Sequence, residues 1–183
     1  MGLGYSISAT LSVLSHCNFI HLDDTEMDTA ILTLEKFLKE YSISEPTNEN
    51  IAKSLATKLK DTIPVLVASE HLVGACYTLK NQLNENAKVF ATAFDLPELN
   101  HHLMEGLRNP VEVKKLLHFV FIESQLYLPQ IIKRYPVTRE VVEENDISVT
   151  VYKLRSEKKL DQILEVLALS SYLSFYLAML YHI

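Results

Sequence analysis

The sequence predicts an α/β protein: a three-layer αβα sandwich with a parallel, doubly wound sheet and a helical N-terminal lead. From about residue 61 onward, short apolar runs rich in β-branched residues alternate with stretches of helical period. That order builds βαβ units, with helices on both faces of a parallel sheet. The first run, 63–68, is apolar at every position instead of every second one, which marks a strand covered on both sides. Right-handed crossovers then narrow the topology to a doubly wound sheet. With 183 residues, 48% of them hydrophobic, the chain can bury a substantial core. It divides into a lead over 1–60 and one sheet domain over 61–183.

In the lead, residues 5–15 mix small and apolar side chains without Gly or Pro, which suits a helix lying close against a neighbour. Residues 25–41 are the clearest amphipathic helix. Met27, Ile31, Leu34 and Leu38 recur at three- and four-residue steps, Ala30 and Phe37 widen the stripe, and Glu35, Lys36, Lys39 and Glu40 take the wet side. Asp24 or Thr25 caps it. A connector containing Pro46 follows, and 48–60 resumes the helical period through Ile51, Leu55 and Leu59, with a basic last turn that the helix dipole favours. The sheet domain then reads strand 63–68, helix 71–83, strand 87–94, helix 97–107, strand 117–123, helix 129–144, strand 147–154 and a helix from 158 to the end.

The final helix is apolar on all sides, since 166–183 carries no Asp, Glu, Lys or Arg and matches the ~18 residues of a membrane span. Ser170, Ser171, Ser174, Tyr172, Tyr176, Tyr181 and His182 give it a polar load that favours a core or dimer-interface helix over lipid. The formal charge of −6, with no basic cluster longer than a pair, excludes a nucleic-acid face. Cys17 and Cys76 make no ligand spacing and suit a reducing compartment, and with no leader pattern at the N-terminus the expectation is a cytoplasmic protein. Neither His16 with His21 nor His71 with His118 has the spacing of a zinc site, so no metal is expected. Ser69, Glu70 and His71 follow the first strand, where open α/β sheets hold ligands, and read equally well as structural or as sugar-contacting. Tyr152, Tyr172 and Tyr176 read as core or interface aromatics.

Residues 82–106, QLNENAKVFATAFDLPELNHHLMEG, concentrate the chemistry. An Asn-flanked carboxylate, Glu85, stands sixteen residues before His101, the first of two adjacent histidines, and the strand 87–94 separates them. Glu85 at a helix C-terminus faces an unfavourable dipole, which a purely solvated carboxylate has no reason to accept. A carboxylate can take and return a carbon-bound proton, and an imidazole titrating near neutrality can open a sugar ring. Glu85 lies at the amino edge of the sheet and His101 beyond the carboxyl end of the strand. Eight extended residues span about 26 Å, so the two could serve one sugar only from different subunits of a two-fold dimer. Glu105, four residues after His101, would share its helix face and could orient the imidazole.

NQLNENAK followed by FDLPELNHHLMEG is similar to the signature of the bifunctional phosphoglucose/phosphomannose isomerases, dimers built from two sugar isomerase (SIS) domains. The chain resembles the second, C-terminal SIS domain: GYSISATLSVL is like the segment following the first domain, and IPVLVAS is like the opening strand of the second. The resemblance implies an SIS-like fold and a cofactor-free aldose–ketose isomerase. It would interconvert glucose 6-phosphate and fructose 6-phosphate through an enediol, with mannose 6-phosphate as a further candidate. It also implies Glu85 as the isomerising base, His101 rather than His102 as the ring-opening acid/base supplied by the partner subunit, and Asn84 and Asn86 as supports for the carboxylate. The family's phosphate-holding loops belong to a first domain for which 183 residues leave no room, and the arginine the family carries before the GYS-like segment and the lysine and threonine it carries after the YLAMLYHI-like stretch are absent from this sequence. The chain therefore reads as a fragment or isolated domain. The alternative is a sugar-phosphate-binding or dimerising SIS domain without turnover.

Overall fold

The computed structural model describes residues 2–183. Four strands, β1 (Ile63–Ala68), β2 (Thr92–Asp95), β3 (Leu117–Glu123) and β4 (Ser148–Lys153), form one all-parallel sheet in the order β2-β1-β3-β4. The central pair β1 and β3 is buried almost throughout, with Leu66, Val67, Phe119, Val120, Phe121 and Ile122 each at 0–1% exposure. The edge strands β2 and β4 are mostly half-buried. Continuous apolar patterning was therefore legible where a strand has neighbours on every side, and weakest at the edges.

The helices are α1 (Leu3–His16), α2 (Asp24–Glu40), α3 (Ile51–Leu59), α4 (Val73–Glu85), α5 (Leu99–His102), α6 (Val111–Lys114), α7 (Pro129–Ile132), α8 (Arg134–Glu144) and α9 (Lys159–Leu180). One layer is built on α9, which packs against α2, α3 and α4, while α4 lies on β1 and β2. The other contains α5 and α8, tied by Asn100 to Thr138 at 2.9 Å, and it meets the sheet where Tyr135 sits edge-on to Phe121. Layers on both faces of a parallel sheet are the predicted sandwich. Helix α9 is long and apolar enough to cross a membrane by length and composition, yet 61% of its most apolar window is buried inside the protein, as the sequence favoured. In the lead, α2 and α3 send Phe37, Tyr41, Ala52, Leu55 and Leu59 into the common core, whereas α1 buries no residue.

Local chemistry accounts for the differences from expectation. The α2 cap is Asp23, not Asp24 or Thr25: its Oδ1 accepts the Glu26 amide at 2.8 Å from an extended backbone. Helix α3 starts at Ile51 because Asn50 caps it, accepting from the Lys53 amide at 3.1 Å. The strand expected over 87–94 begins only at Thr92, since Lys88 takes a left-handed φ of 55° and breaks extended geometry. The helix expected over 97–107 is split into α5 and a 3-10 turn at Glu105–Arg108, and that over 129–144 divides at Lys133.

The buried His118 provides a pH-dependent element. Its Nε2 meets Thr150 Oγ1 at 2.8 Å, and the side chain is 7% exposed. Burial, with Lys58 nearby, holds its pKa below the ordinary value of 6.5. The unfolded chain therefore binds a proton near pH 6.5 that the folded chain refuses. Stability is fully present above that pH and falls as pH drops from about 6.5 toward the lowered folded value. Urea unfolding at pH 7.5 and pH 5 should show a loss that is smaller in His118→Gln; equal losses would remove His118 from the acid sensitivity.

Candidate active site

Glu85 is the last residue of α4, and its side chain is exposed. The helix ends there because Lys88 turns back and donates its ammonium to the Glu85 carbonyl at 2.7 Å, placing a cation at the negative end of the dipole. Among the described residues the Glu85 carboxylate has no hydrogen bond or ion pair. The flanking amides do not hold it. Asn84 donates to the carbonyls of Lys80 and Ala91 at 2.8 and 3.0 Å and accepts from the Ala91 amide at 3.4 Å. Its side chain thus imitates a peptide group and satisfies a backbone that has left the helix but not yet joined the sheet. Asn86 donates Nδ2 to Ser174 Oγ on α9 at 3.1 Å.

His101 lies on α5, exposed, just beyond the carboxyl end of β2. Leu99, fully buried, and Asn100, which meets Thr138 and Arg134, anchor the short helix. His102 is engaged locally: its Nδ1 is 3.7 Å from Glu98 Oε1 and its ring is 6.0 Å from that of Phe94. The His101 imidazole has no such partner among the described residues. Glu105 does not orient it, because α5 stops at His102 and Glu105 lies in the next turn, 3.6 Å from Arg108. Glu85 and His101 sit at opposite edges of the sheet, with no hydrogen bond or ion pair between them. The intervening strand is four residues long, about 13 Å at 3.3 Å each, with the irregular segment 87–91 added to it.

A groove of about 460 Å³ opens beside the end of α4, between α1, α2 and α9. Gln82, Asn86 and Ser171 supply its polar side chains, Leu3, Leu34, Leu38, Leu164 and Leu167 most of the rest, and no Lys or Arg lines it. Sequence reasoning missed what organises its floor. Ser170 Oγ donates to Gln82 Oε1 at 2.8 Å one turn before the Asn86–Ser174 contact, so two rungs join α4 to α9. The signal was the matched four-residue spacing, 82 with 86 and 170 with 174.

At the carboxyl ends of β1 and β3, where doubly wound folds hold ligands, Tyr127 and Tyr135 close over Ser69 and leave a cavity of about 180 Å³ lined by Glu123, Ser124 and Arg139. Ser69 bonds the Leu96 carbonyl at 3.0 Å and the Tyr135 hydroxyl at 3.1 Å, and its amide donates to the Tyr127 hydroxyl at 3.1 Å. Burial pushes both tyrosine hydroxyls well above their ordinary pKa, so they remain protonated. Gln162 Oε1 accepts from Ser124 at 2.6 Å and, because the Gln162 amide nitrogen donates to the Ser156 carbonyl, also from the His71 Nε2–H at 2.8 Å. Ser69 is thus committed to the protein's own groups, while His71 Nδ1 is buried without a partner among the described residues.

The all-parallel sheet in the order β2-β1-β3-β4, with helices on both faces, defines a doubly wound α/β domain. Within that class, the chain belongs to the family of bacterial phospho-glucose isomerase C-terminal SIS domains, whose model matches residues 48–183. It is 24% identical to a bifunctional phosphoglucose/phosphomannose isomerase of Caldicellulosiruptor bescii over 98% of this chain and 53% of the relative. A protein of the same name from Aquifex aeolicus is also 24% identical, over 98% and 52%. The chain thus spans about half the length of these relatives. Among solved structures, a glucose-6-phosphate isomerase-like protein from Thermus thermophilus superposes with a TM-score of 0.70 at 18% identity, over 87% of this chain and 55% of that one. The C-terminal domain of a Francisella tularensis glucosamine-fructose-6-phosphate aminotransferase gives 0.54 at 11%, over 82% and 40%. These two are likenesses of fold.

Proposed function

We propose that this domain serves an aldose–ketose isomerase that interconverts glucose 6-phosphate and fructose 6-phosphate, with mannose 6-phosphate as a further substrate. The observation that carries the reading is the unpartnered Glu85 carboxylate and the unpartnered His101 imidazole, each on the matching position of the isomerase motif. In this scheme His101 passes a proton to the ring oxygen as the hydroxyl on C1 loses its own, which opens the ring. Glu85 then removes the proton on C2, the electron pair of that bond forms the C1–C2 double bond, and the aldehyde oxygen is protonated to give an enediol. The hydroxyl on C2 then gives up its proton, its electrons form the C2 carbonyl, and the C1–C2 double bond takes the proton back from Glu85 at C1 to give the ketose. The groove beside Glu85 offers hydroxyl and amide groups for a sugar but no cation for its phosphate, so the reading assigns the phosphate to groups outside this domain.

The placement of the two side chains at opposite edges of one sheet supports a homodimer with shared sites. Mixing supplies the test. Glu85→Gln and His101→Gln, each inactive in the complete gene product, should regain activity when unfolded and refolded together. A mixed dimer has one doubly damaged site and one intact site, and half of randomly assorted dimers are mixed, so about a quarter of wild-type activity should return. Persistent inactivity of the mixture would place both groups in one subunit or neither in the mechanism. A second reading, a domain that binds sugar phosphate or dimerises without turnover, is favoured by the leucine-rich groove and by the tyrosine hydroxyl that occupies Ser69. Activity that depends on Glu85 rules it out.

A further inference from the structure

We propose that Ser174, supported by Ser170, is a positioning residue for Glu85; the inference rests on the reading of Glu85 as the isomerising base. Both serines are 0% exposed in an otherwise apolar stretch of α9. A buried hydroxyl costs stability unless it is hydrogen-bonded, and a position needing only small volume is served by Ala, as at Ala168 and Ala178 on the same helix. Here the hydroxyls are committed. Ser174 Oγ accepts from Asn86 Nδ2 at 3.1 Å and donates to the Ser171 carbonyl at 3.2 Å, while Ser170 Oγ donates to Gln82 Oε1 at 2.8 Å. Four residues separate the serines and four separate their partners, so both rungs lie on facing sides of the two helices.

The rungs bracket Glu85, three residues after Gln82 and one before Asn86. The final turn of a helix is where backbone carbonyls lack intrahelical partners and fraying begins. Glu85 is exposed and its carboxylate bonds no described residue, so the backbone of that turn is what fixes the point from which the side chain reaches. Pinning the turn to the buried α9 makes the position of that anchor a property of the core. A displacement of about 1 Å at a reacting group can cost 10²-fold in rate, so loosening a rung should appear in turnover more than in substrate binding.

The test uses the complete gene product under conditions in which every variant is folded. Ser174→Ala should lower kcat by about tenfold to hundredfold with KM within about twofold, and Asn86→Ala should lower kcat to the same extent. The double variant should be no slower than either single one, because each removes the same rung. Val142→Ala in the core of α8 is the control for stability loss alone and should leave kcat unchanged. Unchanged kcat in Ser174→Ala, additive losses in the double variant, or an equal kcat loss in Val142→Ala would overturn the inference. Glu85→Gln run alongside separates the two ideas. If it is inactive while Ser174→Ala is unimpaired, only the positioning role fails; if it retains the wild-type rate, the assignment of the base fails first.

Discussion

Glu85→Gln should lower the isomerisation rate of the complete protein by about 10²–10⁴-fold, the usual contribution of a positioned acid–base group. The amide keeps the size and shape of the side chain but cannot accept the carbon-bound proton. Because the carboxylate is exposed and bonds no described residue, its loss should leave stability within about 0.5 kcal/mol. The reduction should fall on kcat, since an acid–base group acts on the transition state more than on bound substrate. A coupled assay of both directions is the measurement, and a rate equal to wild type would remove Glu85 from the mechanism and leave the non-catalytic reading standing. Had Asn84 and Asn86 gripped the carboxylate directly, the same substitution would also have disturbed their contacts; with Asn84 on Ala91 and Asn86 on Ser174, chemistry and stability separate cleanly.

That separation shows what a linear sequence discloses. Strands β1 and β3 were legible to the residue, since a run covered on both faces is apolar nearly throughout: β1 is apolar at each position, and β3 departs only at His118 and at its last residue, Glu123. Helix α9 was legible for the same reason. Strand β2 was not, because the cause of its late start is a left-handed turn at Lys88 and an Asn84 side chain standing in for a neighbouring strand, neither of which has a periodic signature. Helices α5 and α7 were overlong in the reading because apolar spacing continues across their breaks. At the site, residue types at motif spacing named Glu85 and His101, but partners assigned by proximity in sequence failed. Asn84, Asn86 and Glu105 are all neighbours of the pair along the chain, yet the two amides spend their hydrogen bonds elsewhere and Glu105 pairs with Arg108. The contacts that do brace the α4 end come from α9, some 88 residues away.

The same limit hid the most heavily bonded carboxylate in the chain. Glu165 lies in α9 with 0% exposure, where the sequence shows only an acidic residue ahead of an apolar run. It accepts from Tyr152 at 2.9 Å, from the Arg155 amide at 3.2 Å, and from the Ser156 amide and hydroxyl at 3.1 and 2.8 Å, with Arg155 Nε at 3.6 Å. Arg155 continues to Glu40 at 2.8 Å, and Tyr152 to Tyr41 at 2.6 Å, so one carboxylate joins α9, the β4 exit and the end of α2. Burial pushes the Tyr152 hydroxyl well above its ordinary pKa, which keeps it a donor. Glu165→Ala leaves these donors facing a void, and removing one partner of such a buried set costs about 3–5 kcal/mol. At about 2–4 °C per kcal/mol for a domain of this size, Tm should fall by roughly 6–20 °C. Glu165→Gln keeps one accepting oxygen but turns an NH₂ toward backbone amides that only donate, so its cost should be smaller, about 1–3 kcal/mol. Tyr152→Phe should then destabilise wild type more than the Glu165→Ala background, because the hydroxyl has already lost its acceptor there. Urea unfolding of the four proteins decides it: a loss under about 1 kcal/mol in Glu165→Ala would mean that water replaces the carboxylate and that the core of α9 is held by its apolar contacts alone.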